Sequence, residues 1–235
     1  RGLASAALKS GAKLFTQSPA TAISHDGEKW TIKTPGGEVR ANRILVATGG
    51  YGEGAEQARH STVPYFYFQC ATKPLSHNIL PEILPDKNGT WDTHPVLKSL
   101  RLDAEGRLIF GSIGRFDGGG NLHKNWASRK MRGMFPQVPE ESWSEAWFGR
   151  IAMTNDHLPR LKEIGPEGFA IYGYNGRGIG PGTVFGRSVA DYFKSGDRAA
   201  LPFPLTPDTH ESFVGIRGGV VEMGARAFHT IDGWL

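Results

Sequence analysis

Asn175 and Arg177 flank Gly176 inside the stretch Gly173 to Thr183, GYNGRGIGPGT, which carries five glycines in eleven residues. Glycine permits positive φ and close approach of the backbone to a ligand. An amide and a guanidinium beside it can bond an anionic group or the polar edge of a ring. The stretch follows an apolar strand candidate, Phe169 to Tyr172, and leads into a helix expected from Val184 to Lys194. A helix start adds unpaired N–H groups and positive dipole charge. Its glycines at 176, 178 and 180 do not match the dinucleotide fingerprint G-x-G-x-x-G, and no Lys-Ser/Thr follows as in a P-loop. Read alone, this loop is either a cofactor or phosphate cradle or a tight structural turn.

Other residue types narrow the chemistry. Tyr65, Tyr67 and Gln69 alternate along one strand and share a face, as pocket lining or as packing. Asp156, between Thr154 and Pro159, reads as an Asx turn at the end of a strand rather than as a catalytic carboxylate. Trp143 and Trp147 read as aromatics of a core or of a layer covering a site. His77, His94, His123, His157 and His210 show no H-x-H or H-x-x-x-H pairing, so no metal site is expected. The single cysteine, Cys70, sits in an apolar-aromatic run and reads as a buried small hydrophobe. No nucleophile-elbow signature supports hydrolase chemistry. No residue takes a catalytic role on sequence grounds.

The elements that must position these groups form an interrupted α/β pattern. At 235 residues the chain has room for one large or two small domains. Its 32 glycines are about double the usual ~7 % share. A net charge of +4 with scattered Lys and Arg indicates no nucleic-acid surface. No apolar run approaches the ~20 residues of a membrane span, and no signal peptide opens the sequence. The expected setting is cytoplasmic. Residues 1–52 read as an opening helix over Leu3 to Leu8, strands at Lys13–Thr16, Thr21–Ser24, Lys29–Thr34 and Glu38–Ala41, and a buried parallel strand, Arg43–Thr48, that stops at Gly49-Gly50. Residues 53–165 read as an inserted, mostly antiparallel sheet. Its strands are expected at Pro64–Thr72, Ser99–Leu102, Arg107–Gly111 and Trp147–Met153, with one helix at Leu122–Met134. Residues 166–200 return to α/β, and residues 201–235 read as an irregular tail.

The residues point to a family. The segment Trp30 to Tyr51, with its ILVATGGY strand, resembles the middle of the FAD-dependent oxidoreductases of the D-amino-acid oxidase family. Trp147 to Pro159 is similar to that family's tryptophan, glycine and T-x-D-x-x-P pattern, and Gly173 to Thr183 resembles its last flavin-contacting loop. Thr72–Leu75 (TKPL) and Leu102–Arg115 further resemble the putrescine-linked amine branch. Together these motifs cover most of Arg1 to Lys194.

The resemblance implies a partial Rossmann-like FAD domain interrupted by an antiparallel substrate domain that roofs the flavin. It implies oxidation of a C–N bond by hydride transfer, giving an imine that water hydrolyses, with oxygen or a redox partner as the final acceptor. Ala20 would meet the adenine, and Thr48, Gly49 and Tyr51 the ribose and pyrophosphate side. Gly176, Arg177, Gly178, Ile179 and Gly180 would pass the pyrimidine side of the isoalloxazine. Tyr67, Gln69, Asn175 and Arg177 would face a small amine substrate. Three departures qualify the likeness. The G-x-G-x-x-G segment is absent, which suggests the back part of a longer protein, a chain whose flavin site a partner subunit completes, or a non-catalytic module that binds no flavin. Gly149 stands where some relatives attach the flavin through cysteine, so the FAD would be non-covalent. Ile151 stands where amino-acid oxidases place a carboxylate-binding arginine, which favours an amine over a simple α-amino acid, unless Arg177 of the glycine loop supplies the carboxylate partner instead.

Overall fold

The computed structural model describes residues 2–52, 62–116, 120–139, 143–207 and 211–232. The expected domain start at Glu53, and His210, lie outside the described residues. The chain forms two compact units: Arg1–His60, Arg160–Tyr172 and Thr183–Asp208 make the first, and Ser61–Pro159, Gly173–Gly182 and Thr209–Leu235 the second.

In the first unit α1 (Gly2–Lys9) ends at Gly11, whose φ of 89° suits a residue without Cβ. Strands β1 (Ala22–His25), β2 (Trp30–Thr34) and β3 (Gly37–Ala41) form an antiparallel meander. Its first turn is closed by the Asp26 carboxylate, which accepts from the N–H groups of Glu28 and Lys29. Those bonds, with Arg40 beside it, hold the Asp26 carboxyl down to about 2. A second sheet has the order β10 (Arg160–Gly165), β11 (Gly168–Tyr172), β4 (Ile44–Val46). Strands β11 and β4 run parallel, as the buried apolar run before Gly49 predicts.

Trp30, almost fully buried, joins the two sheets by packing with Ile23, Val46, Ala170 and Tyr172. Its indole N–H donates to the Pro166 carbonyl at 2.8 Å. Gly168 makes that possible, because a Cβ there would lie 2.3 Å from the Trp30 ring. Helix α3 (Ile179–Ser195) buries Val189 and Tyr192, with the Tyr192 ring edge-on to Phe169.

In the second unit a five-stranded antiparallel sheet has the order β6 (Thr90–Trp91), β7 (Lys98–Leu102), β8 (Leu108–Ile113), β5 (Val63–Thr72), β9 (Trp143–Met153). The Asp103-Ala104-Glu105-Gly106 turn joins β7 to β8. The Asp103 carboxylate accepts from the N–H groups of Glu105 and Arg107, and Gly106 takes a φ of 74°. One face of this sheet is closed. Phe68, Cys70, Leu100, Leu108 and Phe110 pack there against Trp126, Ala127 and Met131 of α2 (Gly120–Met134). Cys70 is fully buried, and that burial pushes its thiol up to about 12.

Two expectations fail, and one strand was not foreseen. No strand forms over Lys13–Thr16, where Leu14 and Phe15 are exposed and gain nothing from pairing. Strand β10 is present although Arg160, Lys162 and Glu163 break its apolar pattern, because pairing with β11 buries Leu161. The tail is not irregular: Val214–Ile231 is an 18-residue helix, α4. Four internal glycines lower its intrinsic propensity by about 1 kcal/mol each, and tertiary contact overrides them. A Cβ on Gly218 would sit 2.9 Å from the Pro64 carbonyl oxygen, so glycine lets α4 lie directly on β5. Beside it His123 and His229 meet through their Nδ1 atoms at 2.7 Å, buried under Phe68 and Trp126. Burial and the neighbouring His123 pull His229 down to about 3.

Candidate functional site

Strand β9 ends just before Thr154, and the chain turns back through an Asx turn in which the Leu158 N–H donates to the Asp156 carboxylate at 3.0 Å. His157 takes a φ of 56° at the tip. Asp156 is therefore a turn-former, as expected. The Thr154 hydroxyl donates to the Leu158 carbonyl at 2.9 Å, and its backbone N–H donates to the Asn175 side-chain oxygen at 2.8 Å. The Asn175 amide nitrogen donates to the Gly173 carbonyl. Asn175 is buried, and both ends of its amide bond protein groups, so it holds the loop's shape. Glu211 fixes the same turn from the other side. It accepts from the Asn155 N–H and pairs with Arg217 of α4 at 3.0 Å.

The loop thus pinned has Gly173, Asn175 and Gly176 at φ of 74°, 53° and 80°. The side chain nearest a Cβ on Gly176 would be Ile151, at 3.4 Å. The Arg177 N–H closes a turn onto the Tyr174 carbonyl, and the Tyr174 ring lies against Gly178 and Gly182. Burial raises the Tyr174 phenol above its ordinary value. Gly176, Arg177, Ile179 and Gly180 are exposed, and a Cβ on Gly180 would meet nothing within 4 Å. Helix α3 begins at Ile179, ahead of the Val184 start that the sequence pattern implies. Its first turn therefore belongs to the glycine loop and brings the positive end of the helix dipole with it.

The five-stranded sheet's other face is not closed by α2. One cross-strand row runs Trp91, Ser99, Gly111, Gln69, Trp147, with exposed tryptophans at both ends. Tyr67 lies in the next row, and its hydroxyl donates to Ser99 Oγ at 2.7 Å. A Cβ on Gly111 would come within 2.7 Å of the Tyr67 ring, so the missing side chain is what lets Tyr67 lie across the sheet. Burial raises its phenol, partly opposed by the Ser99 bond. The Gln69 side-chain oxygen accepts from Arg101 at 2.9 Å. Tyr65, Tyr67 and Gln69 share this face, and Ile151 stands opposite Tyr65.

Sequence reasoning passed over Ser99, Arg101, Gly111 and Trp91. The usable signal was the Asp103–Gly106 turn, which sets Leu102 opposite Leu108 and so places Arg101 opposite Ile109 and Ser99 opposite Gly111.

In the first unit the strand end predicted at Thr48 comes at Val46. Thr48 to Tyr51 form a tight turn, with the Tyr51 N–H donating to the Thr48 carbonyl at 3.1 Å. Gly49 has a φ of 59°, and open space surrounds its would-be Cβ. Thr48 and Tyr51 are exposed, while Ala20 is half-buried against the Trp30 cluster. Open backbone at Gly49, with no side chain in the way, fits a group recognised through main-chain atoms. Among the described residues no group of three His, Cys, Asp or Glu could hold a metal ion. No helix among them is long and apolar enough to cross a membrane.

Comparison with known proteins bears on the family and the fold. The family described as FAD dependent oxidoreductase matches residues 1–192. A probable oxidoreductase, OrdL, of Haemophilus influenzae is 29% identical over 196 residues, covering 81% of this chain and 44% of that protein. The gamma-glutamylputrescine oxidoreductase of Escherichia coli is 24% identical over 244 residues, covering 98% of this chain and 55% of that protein. The crystal structure of glycine oxidase from Geobacillus kaustophilus superposes with a TM-score of 0.68 at 21% identity, over 88% of this chain and 56% of that one. The chain spans roughly half the length of these relatives.

Proposed function

The chain belongs to the FAD dependent oxidoreductase family, and we propose that it serves oxidation of a C–N bond in a small amine or amino-acid-like substrate. The observation that carries this reading is the pairing, within one unit, of a pinned glycine loop with an open sheet face lined by Tyr67, Gln69 and Trp147. FAD, when bound, accepts the hydride that leaves the carbon. The amine nitrogen loses a proton, and water hydrolyses the resulting imine.

Within the second unit, the backbone of Gly176, Arg177, Gly178, Ile179 and Gly180 is assigned to the polar edge of the flavin ring. There the positive end of the α3 dipole favours negative charge. Tyr67 and Gln69 are assigned to substrate. Asn175, whose amide is committed to Thr154 and Gly173, acts by holding the loop rather than by touching substrate. Within the first unit, the Thr48–Tyr51 turn is assigned to the ribose and pyrophosphate and the Ala20 backbone to the adenine. Attachment is non-covalent: Gly149 carries no nucleophile, and Cys70 is buried on the face closed by α2.

Ile151 on the open face supports an amine over a simple α-amino acid, because it cannot pair with an α-carboxylate. The test is purification, a visible spectrum, and flavin reduction by D-alanine, sarcosine and putrescine derivatives. Reduction by the putrescine derivatives is expected, and rapid reduction by D-alanine alone would sink the amine reading. A colourless protein would favour a chain whose flavin site another polypeptide completes.

A further inference from the structure

The first turn of α4 reaches the C-terminal end of β9. Gly218 rests on Pro64, where a Cβ would lie 2.9 Å from the carbonyl oxygen. Pro64 stands opposite Ala152 and Val63 opposite Met153, so the helix crosses the sheet where β9 stops. Arg217, the residue before Gly218, is thereby brought to Asn155, just past that strand end. Three residues close a ring there. Glu211, which is buried, accepts from the Asn155 N–H at 3.0 Å and from the Arg217 guanidinium at 3.0 Å. The other arm of the same guanidinium donates to the Asn155 side-chain oxygen. Asn155 is therefore held through main chain and side chain by one carboxylate–guanidinium pair.

From Asn155 the bonds continue into the glycine loop. Its neighbour Thr154 gives its N–H to the Asn175 side-chain oxygen at 2.8 Å, and Asn175 in turn bonds the Gly173 carbonyl. Ile151 of β9 lies 3.4 Å from where a Cβ of Gly176 would stand. Both supports of the loop thus belong to the strand end that the ring holds. Resting on the flavin-oxidoreductase reading, we propose that Arg217 and Glu211 are positioning residues: they clamp the Asn155 turn and so set the shape in which the glycine loop meets the flavin. They act through Asn155 and Thr154 rather than by contact with flavin or substrate. A loop with Gly173 and Gly176 at positive φ has many other conformations open to it. A clamp removes those conformations before the cofactor arrives, and that preorganisation strengthens binding.

Amide hydrogen exchange resolved by residue tests the clamp in the chain without cofactor. The reporters are the Thr154 N–H, bonded to Asn175, and the Arg177 N–H, bonded to the Tyr174 carbonyl. Arg217→Ala should speed exchange at both by at least about tenfold, and Arg217→Lys should recover part of the protection. Arg226→Ala loses the pair with Glu222, about 13 Å further along α4, and should leave both rates within about twofold. In titrations with FAD, Arg217→Ala and Glu211→Gln should each weaken binding about tenfold and shift the reduction potential of the bound flavin. Unchanged exchange at Thr154 and Arg177 would overturn the proposal. So would acceleration spread equally over the core strands β5 and β8, which would mark a general loss of stability. Faster loop exchange with FAD affinity and potential both unchanged would overturn the link to the flavin. No uptake of FAD by the wild-type chain, with loop exchange still accelerated in Arg217→Ala, would support the clamp and count against flavin binding by this chain alone.

Discussion

The two units offer a ligand different things. In the first, the candidate groups are main-chain atoms at a strand end: Thr48 to Tyr51 turn tightly, and Gly49 leaves open space where a side chain would stand. In the second, the candidate groups are side chains on the open sheet face: Tyr67 on Ser99, Gln69 on Arg101, and tryptophans at both ends of one row. The cores differ to match. The first unit hangs on one large residue, Trp30, wedged between two small sheets over Gly168. The second has a broad apolar layer that closes one sheet face with α2 and leaves the other available. A main-chain site asks only that the turn be correct, so many sequences can build it. A side-chain face is where substrate preference can be written.

Substitutions should separate the two designs. The largest effect is expected at Gly168→Val, which drives a branched side chain into the Trp30 ring. A loss of about 3–5 kcal/mol, or failure to fold, is expected by denaturant titration. An unchanged midpoint would show that the first unit does not depend on this wedge.

Acid should act on the second unit. The folded His229 is held at about 3, below its ordinary 6.5. The unfolded chain therefore binds the extra proton first as pH falls. The stability linked to neutral His229 is fully present above about 6.5 and is lost progressively from there down to about 3. A decline on the order of 2–3 kcal/mol between pH 7 and 4 is expected, with a shallower slope in His229→Gln. A flat profile would remove His229 from the linkage.

Asn175→Ala should cost about 2 kcal/mol, because it strands the buried Thr154 N–H and leaves alanine at positive φ. It should also weaken flavin binding more than Tyr67→Phe does. Equal effects would mean that the loop's shape is not what the cofactor reads. Tyr67→Phe loses the bond to Ser99 and should lower stability by about 1 kcal/mol or less, since this face is not covered by α2. A larger loss in thermal melts would mean that the phenol is structural.

Local chemistry made part of this legible in advance. The Asp103–Gly106 and Asp156 turns, the alternation of Tyr65, Tyr67 and Gln69, and the buried strand before Gly49 follow from short-range rules, and the structure keeps them. Elements stabilised by distant contacts were hidden. Helix α4 looks irregular because its glycines are poor helix formers, and only Pro64, more than a hundred residues away, explains Gly218. The site shows the same limit. The glycine loop stands out by composition, but Asn175 as its internal tie appears only once Thr154 is seen beneath it. Arg101 was one more scattered cation until strand register set it beside Gln69.

The contact between His123 and His229 has room for a single hydrogen between the two Nδ1 atoms, so the tautomers of the rings are locked together. Among the described residues His229 Nε2 is buried without a hydrogen-bond partner, and a stranded acceptor is tolerated better than a stranded donor. His229 therefore carries its hydrogen on Nδ1 and donates to His123. His123 is left with its hydrogen on Nε2, the nitrogen that faces Glu222 at 3.6 Å. One shared hydrogen thus ties helix α2 to helix α4, and the ring-nitrogen shifts of the two histidines should change together or not at all.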